Sequence, residues 1–431
     1  MQAGVTAKPY WWEDAPPVNA CPSEWKSIAD VIIVGGGFTG FGAAIPLARA
    51  GLNVVLVEKK KIGAGASTRN GGIASGNLRY SHAALSKKFG SEKAAKFFRE
   101  AYAARQDLIN FIADEHIDCD FQLCGRFVGA TRRQDLSLIH READSISRLT
   151  GVASTLYDRS GISAHIESGK YCGGVWRGDI GGLHPGKLLH EMHRIAVATG
   201  VHVFSGVATS SVKRIALGEK MSFRVETTKG SIDGGHVIVA TNAYSDAGVP
   251  WVRRRLVPVI SGMIATEELG VNWVRALMPS KSMYGESLQL GYYFRPSPDG
   301  KRILIGGRRL DPDPEKAVGR LKVGLQSIFP DLRDCAITHH WCGFVAFPFD
   351  QLPKLAVHDG VIYPVGFCGS GTVWARWLGQ KSAQMVLGDL TGSVFLGLPF
   401  RTMPFYTGDP WFLPLAMRFY AFQDKFTSTK K

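Results

Sequence analysis

Three glycines, Gly35, Gly37 and Gly40, stand in the order Gly-x-Gly-x-x-Gly directly after the apolar run Asp30-Val31-Ile32-Ile33-Val34. In such a string the first glycine allows a tight turn, the second lets backbone approach a pyrophosphate, and the third permits close packing of helix on strand. Phe38 and Thr39 then open a helix, and a helix N-terminus is a ready seat for phosphate. Glu58 ends the next apolar run, Asn53-Val54-Val55-Leu56-Val57, where an acid can bind a ribose and would repel a 2′-phosphate. The spacing predicts dinucleotide binding. Lys59 begins the run Lys59-Lys60-Lys61, which reads as a solvated charge cluster beside that acid. NAD and FAD share the fingerprint, and the stretch Gly63-Ala64-Gly65-Ala66-Ser67-Thr68-Arg69-Asn70-Gly71-Gly72 separates them. A second glycine-rich loop can wrap the far half of an extended cofactor, with hydroxyls and N–H groups directed at phosphate and ring oxygens. An NAD enzyme has no need of it, so FAD is expected.

Five stretches, in order, resemble the D-amino-acid-oxidase-like FAD-dependent oxidoreductases, and within them the γ-glutamylputrescine oxidoreductase branch. They are Ile33–Gly40, Ile62–Gly72, Val239–Tyr244, Tyr292–Pro296 and Gly366–Gly371, preceded by a leader, Pro9-Tyr10-Trp11-Trp12, like that of the branch. The resemblance implies a Rossmann-like, glutathione-reductase-type FAD domain assembled from discontinuous segments, beside a mixed sheet that roofs the flavin. On matching positions it implies that Gly35, Gly37 and Gly40 face the pyrophosphate and Glu58 the adenosine ribose. Gly65, Ala66, Ser67, Thr68, Arg69, Asn70, Gly71, Gly72 and Ile73 would line the flavin side. Val212 would bring backbone to the adenine, and Ala240, Thr241 and Asn242 would close over the adenosine. Gly366, Gly369, Ser370, Gly371 and Thr372 would approach the pyrimidine edge, where a helix N-terminus stabilises negative charge. Cys368 and Ser370 stand where the family often has serine and histidine, so that histidine's role is absent or moved.

The family's chemistry oxidises a C–H bond next to an amine nitrogen, with hydride passing to flavin N5, the imine hydrolysing in water, and O2 or another acceptor taking the electrons. The protein's share is orientation and desolvation. Candidate pocket residues are His184, Tyr292, Tyr293, Arg295 and Trp374, with Arg295 as the positive charge near N5. His184 can instead cap the following helix, and only one of Tyr292 and Tyr293 is expected to face the cofactor, because neighbours on a strand point to opposite sides. Relatives that tether FAD do so through a histidine in the second loop or a cysteine under the ring. The loop has no histidine and Cys342 is one position off, so non-covalent FAD is expected. The family's α-amino-acid oxidases carry Trp-x-Gly-x-Arg, whose arginine grips the substrate carboxylate as a bidentate pair. The matching Trp341-Cys342-Gly343-Phe344-Val345 ends in valine. A carboxylate buried there without a partner would bind poorly, so the expected substrate is a primary or secondary amine without an α-carboxylate. The alternative is an amino acid held by a displaced clamp at Arg69, Arg295 or Arg376.

The elements that position these groups form an α/β pattern at both ends of the chain. The opening strand, glycine turn, helix and strand are echoed by the strand Gly360–Val365, the turn Gly366–Gly371 and a helix over Trp374–Leu390. Between them the sequence predicts one helix over Ala83–Asp118, a helix over Gly186–Ala198, and strands at Val201–Phe204, Phe223–Thr228 and His236–Ala240. An antiparallel set is expected at Arg255–Ala265, Gly291–Pro296 and Arg302–Gly307. Segments 26–90, 150–248 and 355–395 are assigned to the FAD domain, 91–149 and 249–354 to an α+β substrate domain, and 396–431 to a tail helix on the surface. Pro46 should bend the first helix.

With 45% hydrophobic and 20% charged residues the chain is neither disordered nor fibrous. Seven cysteines without a CxxC pair offer no metal site and suit a reduced, cytoplasmic chain. Met1–Lys26 lacks the basic-then-apolar order of a signal peptide. Val31–Ala48 is long enough to span a bilayer, but its glycines and proline argue for a nucleotide-binding unit, and no membrane span is expected. The net charge of +14 suits nucleic acid, a membrane surface or an anionic ligand. The short runs Arg253-Arg254-Arg255 and Arg308-Arg309 read as solvated, so no nucleic-acid partner is expected.

Overall fold

Val31, Ile32, Ile33 and Val34 are buried in succession, and a run apolar on both faces must be covered on both. The structure, a computed structural model that describes residues 5–21, 24–217, 220–308, 314–389 and 392–426, makes Ile28–Val34 the centre of a parallel sheet. Val54–Glu58 and then His202–Ser205 extend it on one side, Gly230–Val239 and Val361–Val365 on the other. Lys354–His358 adds an antiparallel edge, and Thr209–Leu217 and Lys220–Thr227 fold as an antiparallel meander onto Gly230–Val239.

The helix Phe38–Arg49 follows the glycine turn and runs through Pro46. It crosses the helix Gly371–Val386 at backbone contact: a methyl group on Gly42 would meet the Arg376 carbonyl, and one on Gly379 would overlap the Thr39 carbonyl. The same logic fixes its start, where a methyl on Gly40 would overlap the Gly35 carbonyl oxygen. Those small residues are what let strand, turn and both helices share one core with Ala94, Phe97, Ala101, Ala104 and Leu108 of the helix Ser91–Asp114.

A second eight-stranded sheet runs in the order Ile337–Pro348, Leu256–Thr266, Ile303–Arg308, Tyr293–Pro296, Met283–Glu286, Arg126–Ala130, Gly173–Arg177 and Ser154–Asp158. It is antiparallel except where Met283–Glu286 pairs with Arg126–Ala130. Its own core includes Phe127, Tyr284, Phe294, Phe329 and Leu325.

Three expectations change. The helix over Ala83–Asp118 is two, His82–Phe89 and Ser91–Asp114, because Gly90 adopts φ +85°, a left-handed value that ends one helix and starts the next. The last core helix stops at Val386. The division at residues 91 and 150 also shifts. Ser91–Asp114 packs in the core of the first sheet, whereas Ser154–Asp158 and Gly173–Arg177 hydrogen-bond into the second. The tail carries the helix Leu413–Phe426; Arg309 and residues 427–431 lie outside the described residues. Among the described residues no helix is long and apolar enough to cross a membrane.

Gly40→Ala should destabilise the protein by about 1–3 kcal/mol, the usual cost of overpacking, and lower its affinity for FAD. Thermal melting with and without added FAD checks this; an unchanged melting temperature would contradict the close packing of Gly40 on the Gly35 carbonyl.

Candidate active site

The turn after the first strand depends on Gly35, at φ +113°, whose N–H donates to the Val57 carbonyl at 2.8 Å. Glu58, at the end of the neighbouring strand, accepts from the Gly36 N–H at 2.8 Å through Oε2 and from the Lys60 N–H at 2.9 Å through Oε1. Burial pushes its carboxyl up, opposed by those two donors and by the charges of Lys60 and Lys59. Lys59 itself pairs with Asp246 at 2.8 Å.

These groups open onto a long cleft lined by Gly35–Thr39, Glu58–Lys61, Gly65–Ser67, Asn70, Ala240–Asn242, Val345, Cys368, Gly369 and Thr372, among others. Val212 is not on its wall. Its place is taken by Val207 and Thr209, because the strand carrying Val212 runs out into the meander while Val207 holds the carbonyl of Glu58 with its N–H at 2.9 Å. Gly40 and Gly366 act from behind the wall: Gly366, at φ +77°, donates its N–H to Asn242 Oδ1 at 2.9 Å.

The second glycine loop is tied down at several residues. Ser67 Oγ accepts from the Phe38 N–H at 3.0 Å, joining the loop to the helix start. Asn70 donates to the Ala66 and Ser67 carbonyls and accepts from the Gly72 N–H at 2.8 Å. Thr68 differs from expectation: it is fully buried and turned away from the cleft, donating to the Gly63 carbonyl and accepting from Trp12 Nε1 at 2.9 Å. Trp11, also fully buried, donates to the Asn70 carbonyl at 2.8 Å, and the Arg69 guanidinium lies 4.5 Å from the centre of the Trp12 ring. The leader is thus a strap under the loop. The aromatic density of Tyr10-Trp11-Trp12 was its signal.

Arg69, Gly71, Ile73 and Ser370 face a second chamber, continuous with the first through Ala66, Asn70, Phe344, Val345, Cys368, Gly369 and Thr372. Tyr293 lines it, with its hydroxyl 3.1 Å from Ser261 Oγ. Tyr292 touches the chamber's edge, but its ring turns to the other side, against Gly324 of the helix Pro314–Ile328, while the Tyr293 ring lies against Gly71, as the alternation predicts. Among the described residues no histidine lines either chamber.

The other candidates are structural. His184 is fully buried and caps the helix Pro185–Ala198, its Nδ1 accepting from the Lys187 N–H at 3.0 Å; burial pushes its pKa down to about 4. Arg295 is buried with its donors on the carbonyls of Gly72 at 2.9 Å, Leu183 at 2.8 Å and Pro296 at 3.0 Å, a brace between loop and sheet rather than a charge facing the cleft. Trp374 packs edge-on against Phe395 in the core. Gly72, at φ +65°, has no room for a side chain beside the Leu183 carbonyl. Arg308 is not solvated as expected but lines the second chamber.

A glycine turn without side chains, a helix N-terminus and an acid on the adjacent strand fit the pyrophosphate and ribose of FAD, and the second loop continues that groove. The family model for the DAO, FAD dependent oxidoreductases matches residues 30–385. The chain belongs to this family. It is therefore an FAD-dependent oxidoreductase. It is 29% identical to a probable oxidoreductase OrdL of Rhizobium meliloti over 96% of this chain and 97% of that one. It is also 29% identical to the γ-glutamylputrescine oxidoreductase of Escherichia coli, over 87% of this chain and 88% of that one. In fold it resembles the glycine oxidase of Geobacillus kaustophilus, with a TM-score of 0.72 at 18% identity, over 88% of this chain and 99% of that one.

Glu58→Lys should weaken FAD by about 1.5–3 kcal/mol, the scale of a hydrogen bond to a charged group; fluorescence titration of the apoprotein reads it, and an unchanged affinity would remove Glu58 from the site. Cys342 lines neither chamber, and burial pushes the Cys368 thiol, which lines both, up to about 12, far from the thiolate that a covalent bond to flavin needs. Acid precipitation should therefore leave the yellow colour in the supernatant, and colour in the pellet would contradict non-covalent binding.

Proposed function

We propose that the protein oxidises a C–N bond of a primary or secondary amine that lacks an α-carboxylate. Val345 carries this reading: it lines both chambers, opposite Val259 across the sheet, where the family's α-amino-acid oxidases place the clamp arginine. Arg69, Arg295 and Arg376, the displaced clamps that the sequence offers, are engaged elsewhere. Arg69 donates to the Ala64 and Cys342 carbonyls, Arg295 braces Gly72 and Leu183, and Arg376 pairs with Asp107 over the Phe111 ring. The similarity to a γ-glutamylputrescine oxidoreductase supports an amine substrate.

In this reading Gly35–Thr39 and Glu58 hold the adenosine and pyrophosphate, with Val207 and Ala240–Asn242 around the adenosine side. Ser67, Asn70, Gly71, Ile73 and the turn Gly369–Thr372 hold the flavin. The N-terminus of Gly371–Val386 faces the same place and favours negative charge there. FAD, when bound, supplies the two-electron acceptor. Val259, Val345, Phe347 and Tyr293 supply an apolar wall that orients the amine and excludes water. With no histidine on that wall and the Tyr293 phenol pushed up by burial, the amine sheds its proton to solvent as it enters, and the neutral amine is the form oxidised. O2 or another acceptor then takes the electrons. Seven cysteines with no CxxC pair in the sequence support a reducing, cytoplasmic setting.

Anaerobic mixing decides the substrate class: amines should bleach the flavin rapidly, glycine and D-amino acids not. The reverse preference would overturn the assignment. Val345→Arg, which puts an unbalanced cation on the apolar wall, should lower kcat/KM for amines on the order of tenfold or more.

A further inference from the structure

Four arginines, Arg69, Arg79, Arg126 and Arg308, line the second chamber and none of them lines the first; Arg69 is occupied by the Ala64 and Cys342 carbonyls, which leaves the guanidinium groups of Arg79, Arg126 and Arg308. Other buried arginines of the protein are balanced or fully occupied. Arg105 and Arg177 share Asp179, Arg376 has Asp107, and Arg295 has three carbonyls. Arg79, Arg126 and Arg308 are not. Arg126 Nε is buried with no hydrogen-bond partner, and the charged neighbour that bears on the group is Arg177, a like charge. Arg308 places one donor on the Gln289 carbonyl at 2.9 Å, and Arg79 makes only a 3.4 Å contact to Gln289 Oε1.

The nearby carboxylates are engaged with other groups. Glu286 accepts from Lys170 at 2.6 Å, from the Tyr171 hydroxyl at 3.0 Å and from the Tyr292 N–H at 3.0 Å. Asp424, whose charge reaches Arg308, accepts from the Gln289 and Leu290 N–H groups. Burial holds Arg126 and Arg308 down to about 10, and Arg79 and Arg308 repel each other, yet all three stay protonated at neutral pH.

Concentrated unbalanced positive charge in a concave, partly desolvated wall is costly unless an anion completes it, and planar guanidinium forks match a carboxylate in geometry. We propose that Arg79, Arg126 and Arg308 form a binding site for a carboxylate carried by the far end of the substrate, away from the carbon that is oxidised. The inference rests on the amine reading above and extends it. The oxidised C–N bond lies at the apolar junction by Val345, and the acid lies in the chamber beyond. A carboxylate on the oxidised carbon itself would sit against Val345, whereas Arg308 meets the wall farther along that strand, 5.3 Å from the centre of the Phe347 ring. The same valine that rejects an α-amino acid therefore leaves an ω-aminocarboxylate free to bind.

Two measurements on the FAD-loaded enzyme test this. Calorimetry with linear alkyl carboxylates, which cannot be oxidised as amines, should show binding that equal-length primary amides lack. That binding should weaken about tenfold or more in Arg126→Met and Arg308→Met and less in Arg126→Lys, which keeps the charge but loses the fork. Arg79→Gln, whose side chain is exposed at the chamber mouth, gives the same test should the buried variants fail to fold. Anaerobic flavin bleaching should favour ω-aminocarboxylates over equal-length alkylamines, and the preference should shrink in the same variants. Carboxylate binding that no arginine variant weakens, or oxidation of alkylamines with no preference for the acids, would overturn the site. Arginine-dependent carboxylate binding with no amine oxidised would uphold the site and overturn the amine reading. Arginine-dependent bleaching by α-amino acids alone would overturn both.

Discussion

Backbone must come within hydrogen-bonding reach of a charged, extended cofactor without side chains in between, and the rest of the molecule is arranged around that requirement. Gly35 and Gly40 meet it by letting helix and strand touch. Once the helix Phe38–Arg49 lies that close, it can take only small residues where it crosses Gly371–Val386, and Gly42 and Gly379 supply them. The chain's two glycine turns, more than three hundred residues apart in sequence, are thereby brought to one cleft.

The second loop has little regular structure of its own, so neighbours must hold it. Asn70 closes it from within, Trp11 and Trp12 bear on it from below, and Arg295 reaches from the roofing sheet to the Gly72 carbonyl. Buried arginine serves two ends in this molecule. Arg295, with its donors on carbonyls, is a brace; Arg126, with its Nε lacking a partner, faces a chamber. The difference lies in what each donor meets, not in burial.

Much of the first sheet was legible in the sequence because its signals are local: a β-branched run, glycines at fixed offsets, an acid at the end of the next run. Glu58, Ser67 and Asn70 could be read the same way. The helix cap at His184 was open to a local reading too, since its partner Lys187 is three residues on. The placements of Arg295 and Trp374 could not be read. Their side chains are as suited to chemistry as to packing, and the partners that decide between the two, Leu183 and Phe395, lie on separate segments. Val212 was named where Val207 and Thr209, a few residues earlier in the chain, line the cleft. The strands Ser154–Asp158 and Gly173–Arg177 depend on pairing between segments that no short window contains, and Gly90 breaks the helix through a backbone angle that glycine permits without dictating.

The central claim is that one continuous cleft holds the flavin at the junction of its two chambers, with Val345 on the wall and the arginines beyond. A crystal structure of the FAD-loaded enzyme with a linear ω-aminocarboxylate under anaerobic conditions tests it most directly. The account predicts the isoalloxazine ring between the loop Ser67–Gly72 and the strand Ile337–Pro348, the amine carbon beside Val345, and the carboxylate on Arg126 and Arg308. A ring seated elsewhere, or a carboxylate lying against Val345 with the arginines unengaged, would contradict it.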